Sequence, residues 1–378
     1  MKRKKIGIIG GGQLALMLIE AAIPWNIPCN ILDSEGCSAS PLADTHIKGS
    51  LYDKKAIQAL AECSDILTFE TEHFDVEAVI ELVKTNQIEC IPSPEILYTI
   101  QNKHRQKQFF EKHNLPTAPF VSVQSPKEWI KAAQELGTDI FVAKLHTGGY
   151  DGKGVLVCEK NNIQQVFDAP CIIEKYIPRK HEIAVIVARN RKKEVVTYPV
   201  VEMVFDEEAN ILKYLICPAR IDKNLSTKAQ SLAAQAVEYL NGIGIFAVEM
   251  FVAQDNTLLL NEIAPRPHNS GHHTIESCYT SQYEQLLRII LDLPLGSTDL
   301  IQPAVMLNLL GEKGYQGVPY YEGIDEALLI EGVYVHLYNK SQTRSLRKMG
   351  HVTIIDKDIQ TAIQKAQQIN IKVKAKQN

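Results

Sequence analysis

The 378-residue sequence lacks a long apolar run, a closely spaced cysteine pair and a block of like charge. A membrane-spanning helix needs about 20 predominantly apolar residues, so we expect neither a transmembrane segment nor a membrane partner. Lys and Arg number 40 and Asp and Glu 44, without the clustered basic residues by which proteins bind nucleic acid. The eight cysteines show no C-x-x-C spacing, which predicts reduced thiols and argues against a zinc site. We therefore expect a cytoplasmic protein whose partners are small molecules.

The first hundred residues alternate short apolar runs with helical patterns. The start has the charged front of a signal peptide, but three glycines and two polar residues interrupt the apolar stretch, and no small-x-small cleavage site follows. Residues 5–9, 28–33 and 64–69 have the composition of strands, and apolar residues at helical spacing follow the glycine turn at 10–12. This alternation predicts an open parallel sheet.

A chain of this length usually forms two or three domains, so we expect two further segments after the first. The second is predicted to contain helices at 104–113 and 226–241 and strands at 139–145, 154–158, 170–176, 182–188, 245–253 and 257–263. The third, after Pro294, is predicted to contain strands near 303–310, 329–338 and 351–355 and a helix at 357–369. We place the boundaries near residues 100 and 295.

The most informative feature is a pair of glutamates in the predicted hairpin 245–263. If residues 255–256 form a two-residue turn, the register places Glu249 directly opposite Glu262, with Cβ atoms about 5 Å apart. Two carboxylates this close repel each other unless they share a proton or bind a cation. Hard oxygen ligands suit Mg²⁺, which takes one or two carboxylates and completes its shell with water and phosphate oxygens. The alternative is a single-residue bulge that turns one glutamate to solvent.

The same register makes predictions for the neighbouring side chains. Leu258 and Leu260 are expected on the face of the two glutamates, together with Ala247 and Phe251 of the other strand. Asn261 is expected on the opposite face, so it can join the glutamates only if the strand bends at that position.

A glycine-rich hairpin tip lies between two predicted strands of the second segment. Four glycines in the seven residues 148–154 let the backbone approach a ligand and direct N–H groups at phosphate oxygens, with Lys144 on the adjacent strand to neutralise charge. The tip is not a Walker loop, because its glycine spacing is one residue short and Gly154 stands where a magnesium-binding hydroxyl is required. The alternative is a flexible hairpin tip without a ligand.

A strand and turn at 171–178 follow this hairpin, with Glu182 eight residues after Glu174. The backbone of such a segment can meet the edge of an adenine ring, and the carboxylate of Glu182 can accept hydrogen bonds from two ribose hydroxyls. The alternative for each glutamate is a solvated surface charge.

Together these motifs resemble the ATP-grasp superfamily and, within it, the family of 5-(carboxyamino)imidazole ribonucleotide synthetases. The resemblance covers nearly the whole chain. The motifs that carry it are Gly10-Gly-Gly-Gln-Leu14, Thr147-Gly-Gly-Tyr-Asp-Gly-Lys-Gly154, Asn261-Glu-Ile-Ala-Pro-Arg-Pro-His-Asn-Ser-Gly-His272 and Arg347-Lys-Met-Gly-His351.

The resemblance implies an α/β multidomain fold and a reaction. Residues 1–100 would form a Rossmann-like parallel sheet, 101–295 an ATP-grasp domain with a flap near 117–180, and 296–378 a small β-rich domain. The implied reaction is the ATP- and Mg²⁺-dependent carboxylation of aminoimidazole ribonucleotide by bicarbonate in purine biosynthesis, carried out by a homodimer. ATP would convert bicarbonate into carboxyphosphate, and the exocyclic amine would attack its carbon, or CO₂ released from it, under a flap that excludes water.

The resemblance also implies roles for individual residues. The ATP and adenine contacts would be Lys103, Lys144, Gly148, Gly149, Tyr150, Asp151, Gly152, Lys153, Gly154, Glu174, Lys175, Tyr176, Ile177, Glu182, Asn261 and Glu262, with Glu249 and Glu262 as ligands of magnesium. The ribonucleotide and carboxyphosphate pocket would be lined by Gln13, Glu70, Tyr150, Asp151, Arg266, His268, Asn269 and Ser270, and the substrate phosphate would meet Lys340, Arg344, Arg347 and Lys348. The expected catalytic residues are Tyr150, Asp151, Arg266 and His268.

Physical reasons support some of these roles. Arg266 offers a two-pronged guanidinium that suits a carboxylate or phosphate, and His268 is a candidate to move a proton or bind phosphate. Glu70 follows a sheet strand at its carboxyl end, where open α/β sheets bind ligands, and can orient the amine. His272 and His273 lack the Cys or Asp partners of a metal cluster, so we expect them to have structural roles in the glycine turn.

The chain departs from its family at three places. Members commonly have Gly-Arg where this chain has Ala15 and Leu16, and Arg at the position of Lys103. Where members have Glu-Asn-x-His, this chain has Glu-Met-Val-Phe at 202–205, which removes polar groups from the nucleotide side.

Two other functions fit parts of the sequence. Gly10-x-Gly12-x-x-Ala15 after a strand, with Asp33 ending the next strand, matches an NAD-type dinucleotide-binding fingerprint but explains only the first third of the chain. An ATP-grasp ligase that uses formate or an amino acid would share the nucleotide-binding residues.

Overall fold

The structure, a computed structural model, describes residues 3–148, 154–205 and 212–375. Its first part contains β1 (Ile6–Ile9), α1 (Gln13–Ala22), β2 (Cys29–Asp33), β3 (Thr45–Lys48), α2 (Lys54–Glu62), β4 (Ile66–Phe69), α3 (Val76–Lys84), β5 (Glu89–Cys90) and α4 (Pro94–Ile100). The five strands form the predicted parallel sheet, in the order β3-β2-β1-β4-β5. Helix α1 packs on one face of it, and α2 and α3 pack on the other. Its central strands are therefore buried on both faces and consist of continuous apolar runs.

The predicted flap is a separate antiparallel sheet. It contains β6 (Phe120–Val123), α6 (Trp129–Glu135), β7 (Ile140–Leu145), β8 (Val155–Glu159) and β9 (Cys171–Lys175), and it follows α5 (Lys103–Lys112). The strand order is β6-β9-β7-β8. One side of α6 packs Trp129 against Phe141, which gives this small sheet an apolar core of its own. The other face of the sheet is left to line a cleft.

The rest of the molecule contains a nine-stranded sheet and a separate two-stranded sheet, the latter formed by Pro319–Glu322 and Lys372–Ala375. The elements are β10 (Arg179–Arg189), β11 (Val195–Thr197), β12 (Val201–Phe205), β13 (Leu212–Cys217), α7 (Lys223–Tyr239), β14 (Gly244–Ala253), β15 (Leu258–Ala264), α8 (Thr274–Ser277), α9 (Gln282–Ile290), β16 (Ala304–Leu310), β17 (Pro319–Glu322), α10 (Ile324–Leu328), β18 (Val333–Leu337), β19 (Lys348–Ile355), α11 (Ile359–Gln368) and β20 (Lys372–Ala375). The order is β15-β14-β10-β12-β13-β16-β19-β18, with β11 paired to β10. The strands of the third segment thus extend the central sheet through the pairing of β13 with β16.

One predicted strand is shorter than expected. The sequence predicts a strand over 329–338, but β18 begins at Val333. Residues 324–328 form the short helix α10, and Gly332 has a φ of +83°, which interrupts an extended backbone before the strand starts.

Alternation along β14 decides which side chains face the cleft. Val248 and Met250 pack under α7 in an apolar core, so Glu249 and Phe251 point to the opposite face, towards the flap. The cleft between this face and the four-stranded sheet contains the candidate site.

Candidate active site

Two cavities meet in the cleft. The flap-side cavity, of about 260 Å³, lies between the four-stranded sheet and β10, β12, β14 and β15. The turn-side cavity, of about 600 Å³, is lined by residues that follow β1 and β4 and by the segment from Glu262 to His272. Five residues line both cavities: Lys103, Glu262, His268, Asn269 and Lys348. Ligands bound in the two cavities would therefore meet at these five side chains.

The flap-side cavity combines an apolar slot with charged groups. Its apolar lining comes from both sheets: Ala118, Val142, Val155, Val157, Met203, Phe205, Leu212 and Phe251. The segment 175–177 runs along the same cavity, and Lys144, Glu174 and Glu182 supply charge. An apolar slot beside charged groups suits a flat ring joined to an anionic tail. Met203 and Phe205, where the chain departs from its family, contribute to the apolar side.

The register that pairs Glu249 with Glu262 arises differently from the prediction. The turn is not a two-residue turn, because the N–H of Ala253 donates to the carbonyl of Thr257, at 2.9 Å, across the three-residue loop 254–256. That loop alone would shift the pairing of the two strands by one residue from the predicted register. The shift is reversed between Met250 and Glu249, and the two glutamates pair as predicted.

The reversal is a bulge at Asn261, and it decides which residues join the site. Leu260 pairs with Met250 and Glu262 pairs with Glu249, so Asn261 is the extra residue. Its side chain turns to the cavity, where Lys144 Nζ donates to Asn261 Oδ1 at 2.9 Å. Leu258 and Leu260 pack in the core under α7, so their predicted placement beside the glutamates is wrong.

The two glutamates carry unequal charge. Lys103 Nζ lies 2.5 Å from Glu262 Oε2, and this charge lowers the pKa of Glu262 to about 2. Burial and the neighbouring charge of Glu262 raise the pKa of Glu249 well above its ordinary value. In the described chain, the basic side chain within ion-pair distance of Glu249 is the imidazole of His268, whose Nε2 lies 3.7 Å from Glu249 Oε1 and which carries charge only when protonated. One carboxylate of the pair thus lacks a strong cationic partner.

Behind these groups lies a buried arrangement of two lysines and one glutamate. Glu174 lies between Lys107 and Lys144, with an N–O distance of 2.6 Å to each. Burial alone raises the pKa of Glu174, but the charges of the two lysines bring it down to about 2. Burial lowers the pKa of Lys107. Glu174 therefore holds Lys144 in place, and its expected contact with adenine stays a prediction, as do those of Lys175, Tyr176 and Ile177, which line the cavity.

Glu182 lies in the same cavity on β10. Its carboxylate is 11% exposed and lies 3.1 Å from Arg179 Nε. Burial raises the pKa of Glu182 to about 7, against the opposing charge of Arg179. Because ionisation of this carboxyl group is unfavourable in the cavity, hydrogen bonds donated by a ligand would stabilise its charged form.

Arg266 is one of the residues that line the turn-side cavity. Arg266 Nε lies 2.8 Å from Glu72 Oε1, and Arg266 Nη1 donates to the carbonyl of Pro267. Gln13 and Glu70 also line this cavity, as predicted, and so does Gly148 of the glycine hairpin. The remaining predicted residues of the hairpin, Gly149, Tyr150, Asp151, Gly152 and Lys153, lie outside the described residues, and Gly154 leads into β8.

The carboxylate of Glu70 contacts the backbone at the start of α1. Its carboxylate accepts hydrogen bonds from the N–H groups of Gly12, Leu14 and Ala15, at 2.8, 3.1 and 3.3 Å. It thereby caps the positive end of α1, and its predicted role in orienting an amine stays a prediction. A dinucleotide pyrophosphate would need these same N–H groups, and Asp33 already accepts from the N–H of Gly11. The dinucleotide-binding alternative is therefore incompatible with this turn.

The segment after Arg266 divides into lining and supporting residues. His268 and Asn269 line both cavities. Ser270 is fully buried and outside both linings, so its predicted place in the pocket is wrong; its Oγ lies 2.9 Å from His268 Nδ1 and fixes that ring. Asn269 is held by Asn308 of β16, whose Oδ1 accepts from Asn269 Nδ2 at 2.9 Å.

Of the four basic residues predicted to bind the substrate phosphate, some line the cavities and others lie outside them. Lys348 lines both cavities. Lys340 donates from Nζ to the carbonyl of Lys348, and Arg347 donates to the carbonyl of Gln342. These two residues and the exposed Arg344 lie outside the linings of the two cavities, so the structure brings only one of the four to the site.

Sequence reasoning missed three charged residues of the site: Glu72, Lys107 and Arg179, which lines the flap-side cavity beside Glu182. A signal for Glu72 and Lys107 was present. Lys107 follows Lys103 by four residues, which places both on one face of a helix, and Glu72 follows Glu70 in the same loop. The ion pairs that give Glu72 and Lys107 their roles join distant parts of the chain.

Further features of the described residues concern metal-binding groups, cysteines and membrane-spanning helices. Within the described ranges, no group of three or more His, Cys, Asp and Glu side chains is arranged to bind a metal ion. The eight cysteines are free thiols. None of the described helices has the length and apolar character needed to cross a membrane.

Sequence models of three known domains match the chain in succession. A ribonucleotide synthetase preATP-grasp domain matches residues 3–101, an ATP-grasp domain matches residues 108–283, and a phosphoribosylaminoimidazole carboxylase C-terminal domain matches residues 304–365. The first match covers the five-stranded sheet, the second covers the flap and the strands β10 to β15, and the third covers the strands β16 to β19.

Two relatives differ in length. The chain is 40% identical to the phosphoribosylaminoimidazole carboxylase of Candida albicans, over 96% of this chain and 66% of that relative. It is 38% identical to the N5-carboxyaminoimidazole ribonucleotide synthase of Bacillus subtilis, over 93% of this chain and 91% of that relative. The chain thus spans about two thirds of the fungal relative and most of the bacterial one.

Solved structures share the fold over the whole chain. The N5-carboxyaminoimidazole ribonucleotide synthetase of Thermotoga maritima superposes with a TM-score of 0.89 at 41% identity, covering 99% of this chain and 100% of that one. The N5-carboxyaminoimidazole synthase of Aspergillus clavatus, solved in complex with ADP and 5-aminoimidazole ribonucleotide, superposes with a TM-score of 0.88 at 35% identity, covering 97% of each chain. These likenesses confirm the predicted fold class.

Proposed function

The chain belongs to the N5-carboxyaminoimidazole ribonucleotide synthase family of ATP-grasp enzymes, and we propose that it uses ATP and bicarbonate to carboxylate 5-aminoimidazole ribonucleotide. The products would be N5-carboxyaminoimidazole ribonucleotide, ADP and phosphate. The observation that carries this proposal is that the two cavities meet at Lys103, Glu262 and His268. A phosphoryl group activated in one cavity can be consumed in the other without leaving the cleft.

ATP would occupy the flap-side cavity. Its adenine would lie in the apolar slot with its edge at the backbone of 175–177, and its ribose hydroxyls would donate to Glu182. Lys103 and Lys144 would neutralise the phosphates. The glycine hairpin 148–154 would cover them, and we retain Tyr150, Asp151 and the other residues of this loop as proposed contacts.

Magnesium fits the donor set at Glu249 and Glu262. The two carboxyl groups face each other, and burial and the charge of Glu262 raise the pKa of Glu249, since no lysine or arginine of the described chain lies within ion-pair distance of it. A divalent cation between the two groups would favour the ionised form of Glu249. Asn261, turned towards the same cavity by the bulge, adds an amide oxygen. When bound, Mg²⁺ would withdraw charge from the ATP phosphates.

The chemistry proceeds by two displacements. A bicarbonate oxygen attacks the γ-phosphorus, the bond from that phosphorus to its bridging oxygen breaks, and ADP leaves. The amine nitrogen then attacks the carboxyl carbon of carboxyphosphate, phosphate departs with the bonding electrons of the C–O bond, and the amine loses a proton. Arg266 would hold the carboxyphosphate, and His268, beside Glu249, would bind phosphate or move a proton.

A substrate panel tests the proposed function. ADP release is expected to require bicarbonate and 5-aminoimidazole ribonucleotide together for full coupling. The measurement is ADP formation with each substrate omitted in turn, and with formate or an amino acid in place of bicarbonate. Coupled turnover with formate, or none with bicarbonate, would overturn the assignment in favour of another ATP-grasp ligase.

Replacing Glu182 with glutamine is expected to weaken ATP binding and stabilise the empty protein above pH 7. The pKa of Glu182 is raised to about 7, so the folded state holds its proton more tightly than the unfolded chain. The unfolded carboxyl ionises first as pH rises from about 4.5 to about 7, so the free energy of unfolding falls by about 3 kcal/mol across that window. Glutamine does not ionise and avoids this loss.

The measurement is thermal unfolding of both proteins at pH 5 and pH 8, with the Michaelis constant for ATP at pH 8. The Glu182→Gln variant should unfold at a higher temperature than the wild type only at pH 8, and its Michaelis constant for ATP should be about tenfold higher. Glu62→Gln, on the exposed end of α2, is the control and should change neither. An unchanged Michaelis constant in the Glu182 variant would exclude the ribose contact.

Three further features stay predictions. The domain boundaries near residues 100 and 295, a homodimer, and a cytoplasmic location all follow from the family resemblance or the composition. Sedimentation of the purified protein with and without ATP would test the homodimer.

A further inference from the structure

Three imidazole rings stack behind the turn-side cavity, on residues from different elements. His336 of β18 lies parallel to His351 of β19, with ring centroids 4.4 Å apart and an interplanar angle of 8°. His351 in turn lies 4.8 Å from His272. The outer ring is held by Glu276, whose Oε1 is 2.7 Å from His336 Nε2, and the middle ring by Tyr338, whose hydroxyl is 2.9 Å from His351 Nδ1. His272 is the member of this stack that lines the cavity.

The hydrogen bonds around His272 determine which of its nitrogens carries the proton. The amide of Gln282 has a fixed orientation, because its Oε1 accepts from the N–H of His268 at 2.9 Å and its Nε2 donates to the carbonyl of His268 at 2.8 Å. The same Nε2 lies 3.4 Å from His272 Nδ1, and an amide nitrogen only donates. Nδ1 must therefore accept, and the hydroxyl of Tyr283, 3.0 Å away, donates to it as well. The neutral ring carries its proton on Nε2.

The surroundings also keep His272 uncharged. Protonation would direct a new N–H at the donors Gln282 and Tyr283. Burial lowers the pKa of His272 well below its ordinary value, and the positive or potentially positive groups of the neighbouring elements act in the same direction: His351, His268, Lys348 and His336. His272 is thus a neutral donor near physiological pH, unlike an exposed histidine.

Because His272 lines the turn-side cavity and its Nδ1 is bound by Gln282 and Tyr283, Nε2–H is the ring group that it can offer to a ligand. Within the described parts of the chain, the hydrogen bonds of His272 are those at Nδ1. Lys103, Arg266 and Lys348 line the same cavity; of its three glutamates, Glu70 accepts from N–H groups of α1, and Glu72 and Glu262 pair with Arg266 and Lys103. An anionic oxygen can therefore lie beside His272 and these cations without facing a carboxylate that lacks a partner. A donor enclosed in such a cavity needs an acceptor, since an unpaired buried donor is costly.

We propose that His272 is a substrate-binding residue that donates from Nε2–H to an anionic oxygen of the ribonucleotide phosphate, and that His351 and His336 are positioning residues for its ring. This inference rests on the proposed function, because it takes the ribonucleotide as the ligand of the turn-side cavity. It corrects the expectation that His272 has only a structural role in the glycine turn.

Steady-state kinetics of two variants test the contact. His272→Phe keeps a flat ring against His351 and removes the donor, so it is expected to raise the Michaelis constant for the ribonucleotide about 10- to 100-fold, with that for ATP within about twofold of wild type. His272→Gln restores an N–H donor near Nε2 and should recover most of the loss. His113→Phe, a histidine stacked on Tyr239 outside both cavities, is the control and should match wild type. An unchanged ribonucleotide constant in His272→Phe, or equal increases for both substrates, would overturn the proposal.

A second measurement applies if the phenylalanine variant does not fold. Long-range ¹H–¹⁵N spectra of the ¹⁵N-histidine-labelled wild-type enzyme should show, for the ring whose signals are lost in His272→Gln, a neutral Nε2–H form that does not titrate between pH 6 and 8. Its Nε2 proton signal should move when 5-aminoimidazole ribonucleotide is added. An Nδ1–H form, or a signal unmoved by saturating ribonucleotide, would contradict the proposal. Failure of the proposed function is recognised separately, as wild-type ADP release that does not depend on ribonucleotide.

Discussion

Replacing Glu262 with glutamine is expected to reduce ADP release in the presence of bicarbonate and ribonucleotide by at least about a hundredfold, while the protein stays folded. The carboxylate of Glu262 faces Glu249 and lies 2.5 Å from Lys103, at the junction of the two cavities. Glutamine keeps the shape and an oxygen that can accept from Lys103, but it removes the charge that a divalent cation requires. The loss should therefore fall on turnover and not on folding.

The measurement is ADP formation at saturating substrates, with thermal unfolding of the same samples. The matched control is Glu322→Gln. Glu322 also pairs with a lysine, Lys374, at 2.7 Å, but it lies outside the linings of both cavities. The control should retain wild-type turnover, and both variants should unfold within about 3 °C of wild type. Near-normal turnover in the Glu262 variant would mean that the carboxylate pair is not the metal site.

Replacing Glu174 with glutamine is expected to lower the free energy of unfolding by about 3 to 5 kcal/mol, because it leaves two buried lysines without a counter-charge. Side chains of Lys107, Glu174 and Lys144 are 4%, 3% and 10% exposed, so water cannot replace the lost carboxylate. The pKa of Glu174, lowered to about 2 by the lysines, predicts the pH dependence in the wild type. The stabilisation is present above about pH 4.5 and is lost as pH falls towards 2.

Urea unfolding at pH 7 measures this effect. The control is Glu284→Gln, which breaks a partly exposed pair with Arg288 on α9 and should cost less than about 1 kcal/mol. A double variant, Glu174→Gln with Lys107→Met, removes one of the two stranded charges and should recover part of the loss. A loss below about 1 kcal/mol in the single Glu174 variant would show that the lysines are solvated or neutral and that this ion-pair arrangement does not stabilise the fold.

The sequence was sufficient to predict the pairing of Glu249 and Glu262 but not the way in which it arises. Alternation and a turn signal gave a register in which the two residues face each other. The structure has a three-residue loop and a bulge at Asn261, which shift the register in opposite directions and cancel. Local contacts decide between a two-residue and a three-residue turn, and between a regular strand and a bulged one. The hydrophobic pattern does not encode those contacts. The same bulge explains why Asn261 joins the site and Leu260 does not.

Roles that depend on long-range contacts were predicted less well. The hydrogen bonds of Glu70 to the N-terminus of α1 join residues 55 to 58 positions apart and were not predicted, whereas its place in the cavity lining was. Lys107 was overlooked because its partner Glu174 lies 67 residues further along the chain. The parallel sheet and the flap, by contrast, depend on local periodicity and glycine turns, and both formed where the sequence predicted them.

The central claim is that divalent metal and ATP phosphates meet between two carboxylates on adjacent strands, next to the ribonucleotide. The most direct test is a crystal structure of the protein with a non-hydrolysable ATP analogue, magnesium and 5-aminoimidazole ribonucleotide. The account predicts a metal ion bound by Glu249 and Glu262, the terminal phosphate beside Lys103 and Lys144, and the ribonucleotide in the turn-side cavity. A metal ion bound away from both glutamates, or a nucleotide outside the flap-side cavity, would contradict it.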